Sequence, residues 1–165
     1  VSKSSHTYQS INQVPESMGV ATFAGFLNNA FAIPNGVLGD VPLTQQFGLD
    51  PAFYTHVDGT APVTLIRPGR YLVGYTVAAL NTANQRSTSN WVVQFDRGGV
   101  DSLVDGLQTW CFHRDSTNGD AGSGGATAFV FQAGDAVRLS VQRFAGAGSL
   151  TAEALSCGLM LEKIE

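Results

Sequence analysis

Charge is scarce in this chain. Asp, Glu, Lys and Arg make up 13% of its 165 residues, about half the share of an average globular protein. Much of the surface must therefore be neutral polar, small or apolar. The nine basic residues are scattered and the net charge is −4. Phosphate binding needs a concentrated basic face, so no nucleic-acid partner is expected. Long apolar runs are missing too. None approaches the roughly 18 residues of a membrane-spanning helix, so no membrane span is expected. No basic start with an apolar centre marks a secretory signal.

Cysteine is nearly absent. Cys111 and Cys157 lack the close spacing of a zinc or redox motif. A disulfide and two buried thiols both stay open; the thiols are the ordinary reading, because free Cys is among the most buried residue types.

The signatures of catalysis are missing as well. His6, His56 and His113 have no second His at a metal-binding offset, and neither H-E-x-x-H nor a phosphate loop occurs. There is no G-x-S-x-G elbow. Cys111 and His113 share a strand face, but the flanking Trp110 and Phe112 suggest a packed hairpin end. A non-enzymatic protein without a cofactor is expected. One calcium candidate remains in RDSTNGDAGSGG, where Asp115, Asn118 and Asp120 offer hard oxygen ligands. The full calcium-loop spacing is absent, and Asp and Asn are ordinary turn residues.

What the chain does have is short apolar runs separated by Gly and Pro. Residues 1–18 are polar, Ser-rich and without period, and read as an extended arm ahead of one domain at 19–165. The candidate strands are GVATFAGFL (19–27), PVTLI (62–66), RYLVGYTVAAL (70–80), NWVVQFD (90–96) and SLVDGLQTWCF (102–112). GATAFVFQ (125–132), DAVRLSVQRF (135–144) and AEALSCGLMLEKI (152–164) follow. Breaks such as RPG, NTANQRSTS, DRGG and QAGD carry turn chemistry. Many short strands with regular turns predict an all-β sandwich or barrel. No window of 12 or more residues holds a clean helical period; LTQQFGLDPAF (43–53) offers a helical turn at most.

These strands are of two kinds. DAVRLSVQRF alternates, with Val137, Leu139 and Val141 on one face and Arg138, Ser140 and Gln142 on the other. That is a strand with one face in the core and one in water. RYLVGYTVAAL, GATAFVFQ and ALSCGLMLEKI are apolar or small on both faces. Such strands normally lie under helices, and no helix is available. The second face needs another cover. Further copies of the chain supply one; a long segment such as 81–90 or 28–61, folded over the face, is the alternative.

Four stretches resemble strands of the C1q and tumour necrosis factor superfamily, in order and spacing, over residues 20–164. "ATFAGFL" is similar to its first strand and "PGRYLVGYTV" to its central Gly-x-Tyr strand. "GSGGATAFVFQAGDAVRLSV" resembles its penultimate hairpin, and "SCGLMLEKI" its last strand. The resemblance implies a jelly-roll β-sandwich of about ten antiparallel strands, assembled as a homotrimer around its inner sheet. It places Tyr71, Val73, Tyr75, Val77, Phe129, Phe131, Cys157, Leu159 and Leu161 in the core. It places Leu72, Gly74, Thr76, Ala128, Val130, Ser156 and Met160 toward the three-fold axis. A slip of one residue would reverse these assignments.

The sequence contains no Gly-X-Y run. A jelly-roll trimer with a polar arm resembles virion parts: bacteriophage head-decoration proteins, head spikes and fibre heads. The expectation is a virion surface protein whose arm docks on a capsid or other virion protein. Its exposed loops, at 81–90, 98–108 and 115–125, would serve attachment. The alternative is a secreted or cell-surface recognition module that binds a receptor or glycan. Trp91, Trp110, Phe144 and Tyr54 could line a glycan groove, although aromatic residues more often fill cores and interfaces.

Overall fold

A strand whose side chains alternate apolar and polar must lay one face on a core, and successive strands of this kind build the sandwich from both sides. The computed structural model describes residues 22–83, 85–114, 121–145, 150–153 and 155–165. The arm at 1–18 and the calcium candidates Asp115, Asn118 and Asp120 lie outside the described residues.

The strands, in chain order, are β1 (Thr22–Phe26), β2 (Phe31–Ala32), β3 (Gly39–Asp40), β4 (Gln45–Phe47), β5 (Tyr54–His56) and β6 (Val63–Leu65). They continue with β7 (Gly69–Asn81), β8 (Ser87–Arg97), β9 (Val100–His113), β10 (Ala121–Phe131), β11 (Ala136–Ala145), β12 (Leu150–Ala152) and β13 (Gly158–Lys163). All their pairings are antiparallel. In the first sheet β7 is central. Strand β10 runs along one edge of it, and β12 and β13 share the other; β13 continues to β1 and β4, β12 to β2. The second sheet runs β5–β6–β11–β8–β9, with β3 beside β11. The chain crosses between sheets at almost every long connection, which is the path of a jelly roll.

One tight hairpin stays within a sheet. Strands β8 and β9 turn through Gly98 and Gly99, at φ 64° and 87°, between the paired residues Arg97 and Val100. Two consecutive positive φ values are what a two-residue hairpin with matching twist requires. The Asp96 carboxylate accepts the Gly99 N–H at 3.0 Å.

Between the sheets lies a chain of aromatic rings. Phe23 meets Tyr54 (6.1 Å), Tyr54 meets Tyr71 (6.1 Å), and Tyr71 meets Phe131 (5.9 Å). Phe131 meets Phe95 (5.6 Å), which meets Phe129 (5.3 Å). Tyr54 and Phe95 come from the second sheet and the other four from the first, so the contacts tie one sheet to the other through large buried area. Val137, Leu139 and Val141 of β11 are buried from the other side.

Four expectations change. The stretch 121–125, expected as a break, is the first half of β10 and pairs with β7 from Ala79 to Tyr75. The expected loops 81–90 and 98–108 are shorter: Ser87–Asn90 belong to β8, and β9 begins at Val100, ahead of the strand expected at 102–112. Within 43–53 a strand, β4, precedes a single turn in which the N–H groups of Phe53 and Tyr54 both reach the Asp50 carbonyl. Segment 28–61 does not cover the face of a sheet; its strands extend the sheet edges.

The β10–β11 turn is held by an ion pair. The Arg97 guanidinium donates to both Asp135 carboxylate oxygens, at 2.9 and 2.6 Å, and the Gln132 N–H donates to the same carboxylate at 2.8 Å. Asp135 is 1% exposed. Burial alone pushes its carboxyl up, but the Arg97 and Gln132 hydrogen bonds and the Arg97 charge outweigh it and hold the group below the usual carboxylate range. A carboxyl depressed in the folded state adds stability above its unfolded value, lost as pH falls through the folded one. Asp135→Asn should cost about 2 kcal/mol at neutral pH. Thermal melts should show the wild type and D135N converging as pH drops below the ordinary carboxylate value; a gap unchanged in acid would remove the ion pair as its cause.

Candidate assembly surface

Pairing register determines which side chains share the face of the first sheet that points away from the core. Tyr71, Val73, Tyr75 and Val77 of β7 point inward and are buried, as are Leu159 and Leu161 of β13 and Phe131 of β10. Cys157, just ahead of β13, is buried too, and Phe129 packs half-buried against the core. On the other face Leu72 stands between Ala128 and Glu162, Gly74 between Ala126 and Met160, and Thr76 between Gly124 and Gly158. Beyond β13, Ala24 lies beside Met160 and Phe26 beside Gly158. Ser156 stands apart, exposed in the turn before β13.

This outer face is apolar and small in its middle. Val130 is 64% exposed and Met160 39%. A depression of about 230 Å³ is bounded by Ala24, Phe26, Gly74, Thr76, Ala126 and Met160. Its floor depends on the absence of side chains. A Cβ on Gly158 would sit 2.6 Å from the Phe26 ring and 2.9 Å from the Gly25 carbonyl oxygen. The Phe26 ring, which covers that glycine, meets Phe47 of β4 edge-on at 6.0 Å. Charge gathers at one end, where Arg70 and Glu165 lie 3.9 Å apart and Glu162 neighbours Leu72. An exposed apolar surface of this kind, rimmed by polar groups, marks an interaction site.

The sequence did not single out Ala24, Phe26, Phe47, Ala126 or Gly158 for this face. Their signal was present in "ATFAGFL", whose two faces are Phe23 and Gly25 on one side and Ala24 and Phe26 on the other. Reading it required knowing that β1 pairs with β13.

The nucleophile candidates lie elsewhere, inside the second sheet. Ser89 pairs with Cys111 across β8 and β9. Its hydroxyl oxygen accepts the Trp91 indole N–H at 2.9 Å and lies 2.8 Å from His113 Nε2. All four residues are buried. Burial pushes the Cys111 thiol up, and a hydrogen bond with Ser89 offsets only part of that. A reactive cysteine needs the opposite shift. Cys157 is also free; burial pushes its thiol up, and it donates to the Ala78 carbonyl at 3.1 Å. His56 uses both ring nitrogens locally, with the Pro62 and Leu43 carbonyls each 3.0 Å away. Among the described residues, no three His, Cys, Asp or Glu side chains gather as metal ligands. Of the four aromatic residues considered for a groove, Trp91 and Tyr54 belong to the core, while Trp110 and Phe144 are exposed.

Both thiols should therefore ignore a thiol reagent such as 5,5′-dithiobis(2-nitrobenzoate) at pH 8 in the folded protein. Both should react once guanidinium unfolds it. Rapid labelling of either one before unfolding would contradict the burial described above.

No model of a known protein family matches the sequence, and no curated protein is similar to it. Solved structures are similar in fold. A structure of Eiger TNF from S. frugiperda aligns at 18% identity over 87% of this chain and 92% of that one, with a TM-score of 0.56. Murine APRIL aligns at 15% identity over 87% and 98%, with a TM-score of 0.62. The globular domain of a zebrafish complement 1qA protein aligns at 14% identity over 88% and 98%, with a TM-score of 0.56. At such identities the likeness is one of architecture. The chain is an all-β jelly-roll sandwich with the fold of TNF and C1q-like globular domains.

Proposed function

We propose that this protein is a non-enzymatic binding module that assembles as a homotrimer through the outer face of its first sheet. The observation that carries the reading is the apolar, small-residue surface across β1, β13, β7 and β10. Leu72, Gly74, Thr76, Ala128, Val130 and Met160 all lie on it. Ser156, in the turn ahead of β13, would sit at its margin. The likeness to TNF and C1q-like domains supports the same face as the one turned toward the axis. Assembly would gain about 25 cal/mol per Å² of apolar surface buried, before the entropy of association is subtracted. The non-enzymatic reading is supported by the burial of Cys111 and His113 in the core.

A trimer joined through its first sheets would turn three second sheets outward. The module would act outside the cell, presenting those sheets and the sandwich ends. A place on a virion, with the arm at 1–18 docked on a capsid, is a narrower form of the same reading. Co-sedimentation of the full chain with particles, lost when 1–18 is removed, tests it.

Sedimentation at micromolar concentration should give three times the 17.4 kDa chain mass. Leu72→Asp and Met160→Asp should each release folded monomers, with unchanged circular dichroism. Val73→Asp, in the core, should instead unfold the domain. A wild-type monomer at that concentration would remove the proposal.

A further inference from the structure

We propose that the outer face of the second sheet carries a binding platform for neutral oligosaccharides, centred on Trp110 and Phe144. It lies on the side of the sandwich away from the assembly surface and does not depend on the trimer.

The platform is built by three neighbouring strands. The chain has two tryptophans. Trp91 is enclosed in the core, but Trp110, on the opposite face of the hairpin, is 49% exposed. Its ring meets that of Phe144 at 4.8 Å with the planes 44° apart, and Phe144 is also 49% exposed. Phe144 reaches this face because the β8–β11 ladder shifts register between Arg143 and Ala145. Amides surround the two rings. Asn90 pairs with Trp110 on one side and with Gln142 on the other. Gln108, two residues before Trp110 on the same face, donates to Asn90 Oδ1 at 3.2 Å. Phe112, exposed one step further along β9, borders a separate depression lined by Arg86 and Arg114 and lies outside the uncharged platform.

The chemistry of this patch selects its ligand. Asn90, Gln108, Trp110, Gln142 and Phe144 carry no charge. Beyond one end, Arg86 and Arg114 line the depression with Phe112, and further along β11 Arg138 is paired with Asp101 at 2.5 Å and Asp40 at 3.2 Å. Two arginines at one end fall short of the concentrated basic face that nucleic acid requires. An all-equatorial β-linked glucopyranoside is uncharged, with ring faces of C–H groups and edges of hydroxyls. Aromatic faces pack against the former, and fixed amides donate to and accept from the latter. The amides sit on paired strands, so little order is lost on binding.

Cellohexaose and chitohexaose titrated into the full chain test this, read by tryptophan fluorescence and calorimetry. Trp91 is enclosed, so a sugar on the platform should change the signal of Trp110 alone. Saturable binding is expected with at least one of the two. It should be lost in Trp110→Ala and weakened about tenfold, or 1.4 kcal/mol, in Phe144→Ala. Both side chains are exposed, and circular dichroism confirms folding of each variant. No saturable binding up to about 10 mM of either sugar, where the free energy is already below 3 kcal/mol, overturns the proposal. So does binding that survives both substitutions. A change in sedimentation caused by Trp110→Ala also overturns it, because the patch would then be a contact between copies.

Discussion

Strand β7 has no face of its own to leave in water, and the rest of the molecule is arranged around that constraint. Both of its edges are used: β10 pairs along one, while β13 and β12 share the other. One face, from Tyr71 to Val77, fills the sandwich. The other, from Leu72 to Ala78, carries only small or apolar side chains; its neighbours on β10 do the same, and those on β13 do so as far as Met160, before Glu162. A two-layer fold covers one face of each sheet and leaves the second to other means. The outer face of the first sheet therefore becomes the surface through which copies of the chain are proposed to meet.

The second sheet meets the same geometric problem with different chemistry. Many of its outward positions are polar and bonded to each other, with Val92, Leu103 and Phe112 among the apolar exceptions. The Ser140 hydroxyl donates to Asp40 at 2.6 Å and accepts from Gln94 at 2.9 Å. Arg138 sits between Asp40 and Asp101. Such a face tolerates water, so the exposed rings of Trp110 and Phe144 stand out on it. The two outer faces thus suit different tasks. One is apolar and continuous, fit for assembly, and the other is polar with a local aromatic platform, fit for ligand contact.

Much of the fold was legible from the order of turn residues and short apolar runs. The alternation of β11 and the two-sided character of β7 and β13 belong to residue patterns that survive any detail of packing. The strand ends were not legible in the same way. The run Ala121–Gly125 reads as a loop because glycine is a weak strand former. It becomes strand because the opposing edge of β7 offers a complete row of backbone partners, and Gly124 lies where a Cβ would come 3.0 Å from the Tyr75 carbonyl oxygen. The loops expected at 81–90 and 98–108 shrank for a similar reason: long hairpin pairing between β8 and β9 absorbs Ser, Asn and Asp residues that would otherwise favour turns.

Composition and periodicity by themselves determined an all-β domain, poor in charge, with at least one sheet apolar on both sides. They follow from local rules: side chains alternate along a strand, and turns need Gly, Pro, Asn or Asp. Tertiary structure alone decided which residues of different strands share a face. It set Phe26 over Gly158, enclosed Trp91 with Ser89 and His113, and brought Phe144 to Trp110 through a shift in the β8–β11 ladder. Each of these depends on register between strands far apart in the chain, and one residue of slip would send every side chain to the opposite face.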